Sequence, residues 1–551
     1  MRTAGAFKSI GAFGRSGLPA TAIALAIAST GLAASVSAFA FAVAPGDATS
    51  ALPPNLQSSG EAPLPAPFVG NPELKARLDS PGVLSIAGER LHADLLRRLY
   101  GAHQFQTIWE ARPAQAAALW NLVSRAGSHG LDPNAFHAAA LARSAATLSP
   151  VERDLLVSDA VLSYADALAR GGMPIERRPD DEDLVPEPVD IVAAVDASLG
   201  AADPTAAIEA LAPNTPAYAA MQRAYTAYQA ITQAGGWPHI DQQRADRAGA
   251  LQQRLAAEGY LPAGYRSSGY DDLTARAVRS FQQHHGLDAD GRLNAATVAE
   301  LNVPAETRAH QVAANMERLR WLPRRLPTDR VWVNAANARL QLFRADQPVF
   351  TTRVVVGETD KQTPEFEAAI TSVLFNPPWN IPPSIAAKEI LPKLSQQPDY
   401  LAHHHMVIRS NGLVQQVPGP TNALGQLKFE MPNRYDVYLH DTPQKNLFSR
   451  DNRRMSHGCV RVENPRVLAS LLLDQNAEAI DKGIALGYTN RRQLPASLPV
   501  FIVYQTAFAD SDGSIEFRRD FYERDDEIWQ ELTRSPQMPV AQDSGSAQRR
   551  G

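Results

Sequence analysis

Ser456-His457-Gly458-Cys459-Val460-Arg461-Val462 decides how this chain is read, because it holds the only cysteine among 551 residues. A cysteine attacks as thiolate, and a free thiol with a pKa of about 8.5 is mostly protonated at neutral pH, so a neighbouring imidazole is needed to take its proton. His440 is placed to do so. In an extended Tyr435-Asp436-Val437-Tyr438-Leu439-His440 run, Val437 and Leu439 share one face while Tyr438 and His440 share the other, which points the imidazole away from the apolar layer. Asp441-Thr442-Pro443 ends the strand with His440 at its mouth, and Asp441 is a weak candidate for orienting the ring. Gly458 removes a side chain just before the thiol, which permits a tight turn and close approach of a substrate backbone. Its amide and that of Cys459 are candidate oxyanion donors. Arg461 shares the face of Cys459 if the run is extended; a guanidinium there binds a carboxylate or braces the loop, and bracing is the favoured role. His457 faces opposite Cys459 or sits one step away, and reads as a supporting residue. Asn464 followed by Pro465 is the N-cap and first-turn signal of a helix running to Leu473, which supports the loop.

After Pro323 the surrounding sequence reads as strands: Val331 to Asn334, Leu340 to Phe343, Phe350 to Val356, Ile370 to Phe375 and Val437 to His440 alternate or run as β-branched and aromatic residues, to about Tyr504. Within that frame, His440 followed by Ser456-His457-Gly458-Cys459 resembles the signature of the L,D-transpeptidase (YkuD-type) catalytic domain, with Arg461 in the place where that pattern has Asn or Arg. The resemblance covers residues 329–505 and includes Gly357, Thr363-Pro364, Asn376-Pro377-Pro378-Trp379 and the run from Pro418 to Phe429. It implies that the third partner of the imidazole is a backbone carbonyl.

Upstream, residues 89–235 read as helices, with Leu91, Leu95, Leu96 and Leu99, and Leu155, Leu156, Ala160, Leu162, Ala165 and Leu168, at helical spacing. Phe105 to Trp109, Gly130 to Pro133 and Asp159 to Tyr164 resemble the scaffold region of large Gram-negative L,D-transpeptidases. Val278 to Leu287, followed by Asp290-Gly291, Thr297 and Leu301-Asn302, resembles the three-helix peptidoglycan-binding module, with Phe281 as core. Between residues 377 and 410, prolines 377, 378, 382 and 383 cannot donate to a ladder, so the chain leaves the sheet and returns near Met406-Val407-Ile408. This excursion resembles the capping subdomain of the large enzymes, and Trp379 is expected at its hinge.

The expected architecture is multidomain α+β: a signal peptide or membrane anchor at 1–44, a Pro-rich linker at 45–72, a helical scaffold domain at 73–240, a peptidoglycan-binding-like domain at 241–305, a β-rich catalytic domain at 329–505 with its capping insertion at 377–410, and a disordered tail at 536–551. Arg2, Lys8 and Arg15 precede an uncharged stretch from Ser16 to Gly46, which places the body outside the cytoplasm, in the periplasm or envelope. A lone thiol in an exported chain excludes an internal disulfide and is either buried and inert or kept for reactivity. The net charge of -5 and the lack of an aromatic-basic signature exclude nucleic acid as a partner. His403-His404-His405 lacks metal-ligand spacing on one face, and His284-His285 belongs to the binding-module pattern, so neither metal nor cofactor is inferred.

The resemblance implies that Cys459 attacks the L,D bond before the terminal D-alanine of a peptidoglycan tetrapeptide stem and passes the acyl group to an amine, with His440, Gly458, His457 and Arg461 around it. A diaminopimelate amine, a lipoprotein lysine and a free D-amino acid all remain open as acceptors. A carbapenem, whose strained lactam imitates the donor amide, is expected to acylate the same thiol. Two other functions are weighed: the same thioester resolved by water, as in a carboxypeptidase, and a silent wall-binding scaffold.

Overall fold

The computed structural model describes residues 69–144, 146–241 and 247–534. The export segment, nearly all of the Pro-rich linker and the C-terminal tail expected above lie outside the described residues. Among the described residues no helix is long and apolar enough to cross a membrane.

The N-terminal part is helical because its apolar residues recur at helical spacing and its helix starts are capped. Helix α1 (Pro150–Arg170) begins with Ser149 and Glu152 satisfying each other's backbone amides and a proline in the first turn, and it buries Leu155, Leu156, Leu162 and Leu168. The buried carboxylate of Asp154 on α1 accepts the amides of Ile108 and Trp109 and the hydroxyl of Tyr100, which pins the Phe105–Trp109 turn to the helix. Helix α2 (Pro216–Gln233), capped by Thr215, packs on α3 (Ala305–Arg320). Three shorter helices, Arg247–Ala257, Asp272–His284 and Ala295–Leu301, close around a separate small core of Leu251, Leu255, Val278, Phe281 and Leu301. The expected helical module is therefore present, and Phe281 is core.

The β-rich part is a nine-stranded mixed sheet built from β1 (Arg330–Asn334), β2 (Arg339–Arg344), β3 (Gln347–Gly357), β4 (Phe366–Phe375), β5 (Leu427–Glu430), β6 (Leu439–His440), β7 (Arg454–Ser456), β8 (Val460–Val462) and β9 (Asn490–Val503). Its order is β7-β3-β8-β6-β5-β4-β9-β1-β2, and β2 also pairs with β3, so the strands from β3 round to β2 close into a barrel, with the short β7 attached to β3. Register fixes which side chains share a face. Val373, Phe429, Leu439 and Val460 fall in one row across β4, β5, β6 and β8 and are fully buried in the core. One step along, Leu374, Lys428, His440 and Arg461 form the neighbouring row, whose side chains point to the opposite face. Helix α4 (Pro465–Leu473) then covers the core with Leu468, Ala469 and Leu472.

Several expectations are corrected. The run from Tyr435 to His440 is strand only at Leu439–His440, because Asp436 adopts a left-handed φ of 55°. Asn464 stands at the start of α4, but its side chain does not cap the helix; it donates instead to Thr352 Oγ1 at 3.0 Å. The chain does leave the sheet at the prolines, yet Met406–Ile408 does not rejoin the barrel. It pairs with Val414–Gln416, which pairs with Trp379–Asn380, giving the insertion its own three-stranded sheet. Helical turns from Pro383 to Gln396, including a wide π-turn at Ala386–Ile390, pack Ile381, Ile390, Tyr400 and Met406 beneath that sheet. The excursion ends beyond residue 410, and the barrel resumes at β5.

Beyond Tyr504 the chain returns to the helical part. A hairpin of Ala507–Ala509 and Ile515–Phe517 and a helix at Asp525–Leu532 pack on α2 and α3, placing Phe517, Ile528 and Leu532 in the same core as α1. Buried charges join the parts: Arg318 pairs with Asp525 at 2.5 Å, and Arg524 contacts Asp181 and Glu365, the latter at 3.1 Å.

Candidate functional site

Cys459 lies at the end of the short loop between β7 and β8, and its carbonyl and neighbours are tied down from below. Ser456 Oγ donates to the Cys459 carbonyl at 2.6 Å and accepts the Gly458 amide at 3.2 Å. Gly458 has a φ of 106°, a conformation that costs any residue with a Cβ, so the glycine is required by the turn. Its carbonyl accepts from Thr363 Oγ1 at 2.9 Å, and Thr363 Oγ1 in turn accepts the Gly357 amide at 2.9 Å. A side chain on Gly357 would collide with the Lys361 carbonyl, 2.1 Å from an added Cβ, and Tyr522 closes the network by donating to the Gly357 carbonyl at 2.9 Å. Gly357 and Thr363, which sequence showed only as parts of a pattern, thus hold the loop of Cys459 in place. The Gly458 amide is engaged by Ser456, so of the two expected oxyanion donors the Cys459 amide is the one free of such a bond among the described residues.

The thiol is partly accessible and enclosed on most sides. Its Sγ points to the Asp436 carbonyl at 3.9 Å and lies against Tyr438; burial pushes its pKa up, against the pull of Tyr438, Lys428 and Arg461. His440 pairs in register with Arg461, the residue two past Cys459, on the strand beside it. It is buried, not exposed at a strand mouth. Nδ1 faces the backbone carbonyl of Asp441, an acceptor only, so Nδ1 carries the hydrogen and Nε2 the lone pair. Burial, then the Arg461 guanidinium, hold the imidazole neutral and push its pKa down to about 3. The Asp441 carboxylate does not touch the ring. It accepts the amides of Gln426 at 2.9 Å and Thr442 at 2.7 Å and pairs with Lys445.

The other expected residues separate. Arg461 stays on the site face, cross-strand from His440, with Nη1 donating to Gln444 Oε1 at 2.9 Å. His457 turns away to the insertion, where Nε2 meets Glu389 Oε1 at 2.6 Å. Trp379, also on the insertion, stands near the Tyr438 hydroxyl beside the thiol. Sequence reasoning overlooked two residues. Tyr438 was seen to share a face with His440 but was given no part. Lys428, whose Nζ lies 3.9 Å from the Tyr438 ring centre, was hidden in a motif, although the alternation of Leu427 and Phe429 around it marks it as facing the other way.

Comparison with known proteins follows the same division. Residues 328–480 match the family model of the L,D-transpeptidase catalytic domain (YkuD), residues 94–224 that of a scaffold domain, and residues 244–301 one described as "Putative peptidoglycan binding domain". A curated relative from Haemophilus influenzae, named "Putative L,D-transpeptidase", is 33% identical over 241 residues, which cover 40% of this chain and 48% of the relative. The chain therefore spans about half the length of that relative. Crystal structures of L,D-transpeptidases from Xylanimonas cellulosilytica and Stackebrandtia nassauensis are similar at 18% and 12% identity, covering 48% of this chain and 97% and 96% of theirs, with TM-scores of 0.18 and 0.19. The Ldtfm-avibactam carbamoyl enzyme is similar at 10% identity over 32% of this chain and 49% of its own, with a TM-score of 0.18.

Proposed function

The chain carries an L,D-transpeptidase catalytic domain joined to a scaffold domain and a peptidoglycan-binding domain, and from that premise we propose that it transfers acyl groups between peptidoglycan stem peptides through a thioester on Cys459. The observation that supports this is a partly accessible thiol two residues before Arg461, whose register partner on the adjoining strand is a neutral imidazole turned by the Asp441 carbonyl.

In the first half-reaction Cys459 turns from the Asp436 carbonyl toward Nε2 of His440, a contact that tightens only with substrate bound. The sulfur bonds to the carbonyl carbon of the L,D peptide bond while its proton passes to Nε2. The Cys459 amide faces the developing oxyanion. The C–N bond then breaks, and His440 returns the proton to the departing amine of the terminal D-residue. In the second half-reaction an acceptor amine bonds to the thioester carbon, His440 takes its proton, and the thiol leaves reprotonated. A thioester suits this exchange because it is activated toward amines yet persists until a large acceptor arrives.

A buried thiol and a buried imidazole both rest neutral, since a thiolate–imidazolium pair would have to be formed away from water. Proton transfer therefore accompanies attack. The insertion, bound to the site through Glu389 and with Trp379 near Tyr438, keeps water from the thioester and favours transfer over hydrolysis. The binding domain keeps the enzyme at the wall, in the envelope of the cell.

Incubation with a purified tetrapeptide donor and an amine acceptor, with products weighed by mass spectrometry, tests this. Crosslinked dimers or acceptor adducts are expected. Tripeptide alone would make the protein a hydrolase, and an unchanged donor would remove the activity.

A further inference from the structure

Three cations lie in one row across the barrel face that holds the site. Arg491 pairs in register with Leu374, Leu374 with Lys428, Lys428 with His440, and His440 with Arg461. Arg491 is committed to Glu430, at 2.6 and 3.0 Å, and Glu430 also accepts from Ser372. Arg461 is held by Gln444. Lys428 has neither kind of partner: among the described residues no carboxylate pairs with it, and its ammonium rests over the ring of Tyr438. It is half-buried, and burial lowers its pKa. A cation drawn partly out of water with no carboxylate in ion-pair contact is costly to keep, since the Glu430 carboxylate that acts on it is held by Arg491, and this one faces His440 across a strand pair, beside the thiol.

We infer that Lys428 is the receptor for a substrate carboxylate, that of the residue expelled when Cys459 is acylated; this rests on the transfer reaction proposed above. The departing amine must lie at Nε2 of His440 to receive its proton. In an α-amino acid the carboxylate sits on the carbon next to that nitrogen, so it falls beside His440, where the unpaired ammonium of Lys428 stands. Arg461, on the other side of His440, donates from Nη1 to Gln444. An ammonium is a compact charge with rotatable donors, suited to a carboxylate that arrives in one place and leaves from another. Lys428 thereby selects donors that end one residue past the scissile bond, since an interior peptide bond presents an uncharged amide at that point.

The test compares two tetrapeptide donors, one with a free C-terminal carboxylate and one with a C-terminal amide, by the rate at which each acylates Cys459 of the full chain in intact-mass spectra. The wild type should favour the carboxylate donor about tenfold or more at low donor concentration, the scale of a half-buried ion pair. Lys428→Met should bring the two rates together by slowing the carboxylate donor alone, and Lys428→Arg should restore part of the preference. Alkylation of Cys459 by iodoacetamide, measured alongside, reports any change in the thiol itself. Equal rates with both donors in the wild type, or a preference that survives Lys428→Met with thiol reactivity unchanged, would overturn the assignment. If neither donor acylates the wild type, the transfer reaction falls first and the role of Lys428 with it.

Discussion

At Cys459 two opposing effects meet, and burial outweighs the pull of Lys428 and Arg461. The thiol is raised and His440 is depressed to about 3, so neither group changes charge between about pH 5 and about pH 8. Alkylation by iodoacetamide should therefore climb about tenfold per pH unit from about pH 7 to about pH 9, without an inflection from the imidazole. A plateau reached below about pH 8 would mean a preformed thiolate–imidazolium pair. Replacing His440 by Ala should slow acylation by about a hundredfold and abolish transfer, while His457→Ala should leave acylation measurable, because His457 is bound to Glu389 and not to the thiol. Equal losses would contradict that division. The thiol and His440 were named in sequence by the lone cysteine in its Ser-His-Gly-Cys run and the histidine upstream of it, while the extended run expected from Tyr435 shrank to Leu439–His440. The partner of His457 was not legible, because Glu389 lies 68 residues away on another element, which no local spacing reveals. The same holds for the Asp441 carboxylate, which is spent on Gln426, Thr442 and Lys445.

The insertion shows what a strand pattern cannot say. Prolines 377, 378, 382 and 383 announced the departure from the barrel, but Met406–Ile408 has the composition of a strand whichever sheet it joins, and it joined the insertion's own. Asn464 likewise makes no capping bond, and its Nδ2 donates to Thr352 Oγ1 on β3, 112 residues away, which no local spacing reveals. The link to chemistry is the pair of contacts at Glu389 and Trp379. Exchanging residues 384–404 for a short Gly-Ser loop removes the helical turns but leaves Trp379–Asn380 paired with Val414–Gln416. With circular dichroism showing the sheet intact, the ratio of hydrolysis to transfer should rise severalfold. An unchanged ratio would reduce the insertion to a surface decoration.

Across the whole molecule, the catalytic barrel is wired into the helical part near the loop that holds Cys459. Glu365, two residues past Thr363, exchanges backbone hydrogen bonds with Asp181 and Asp183, and Arg524 gathers Asp181, Glu365 and Gln362. Burial and the facing Glu365 carboxylate push Glu182 up to about 7. Breaking such a buried group by Arg524→Met should cost about 3–5 kcal/mol, lower the melting temperature and slow acylation together, because Thr363 loses its support. A variant that melts lower yet acylates at the wild-type rate would show that the network serves stability alone. None of these long-range pairs was legible in sequence, nor was the return of residues 507–532 to the helical core, since ion pairs hundreds of residues apart leave no periodic trace. What sequence did carry to this scale was the division into helical, small helical and β-rich parts, each with its own core. The thioester on Cys459 remains the claim on which every part converges. Intact-mass spectra of the full chain after exposure to a carbapenem test it most directly: wild type should gain one adduct and Cys459→Ala none, whereas an adduct on the Ala variant would contradict the assignment of the nucleophile.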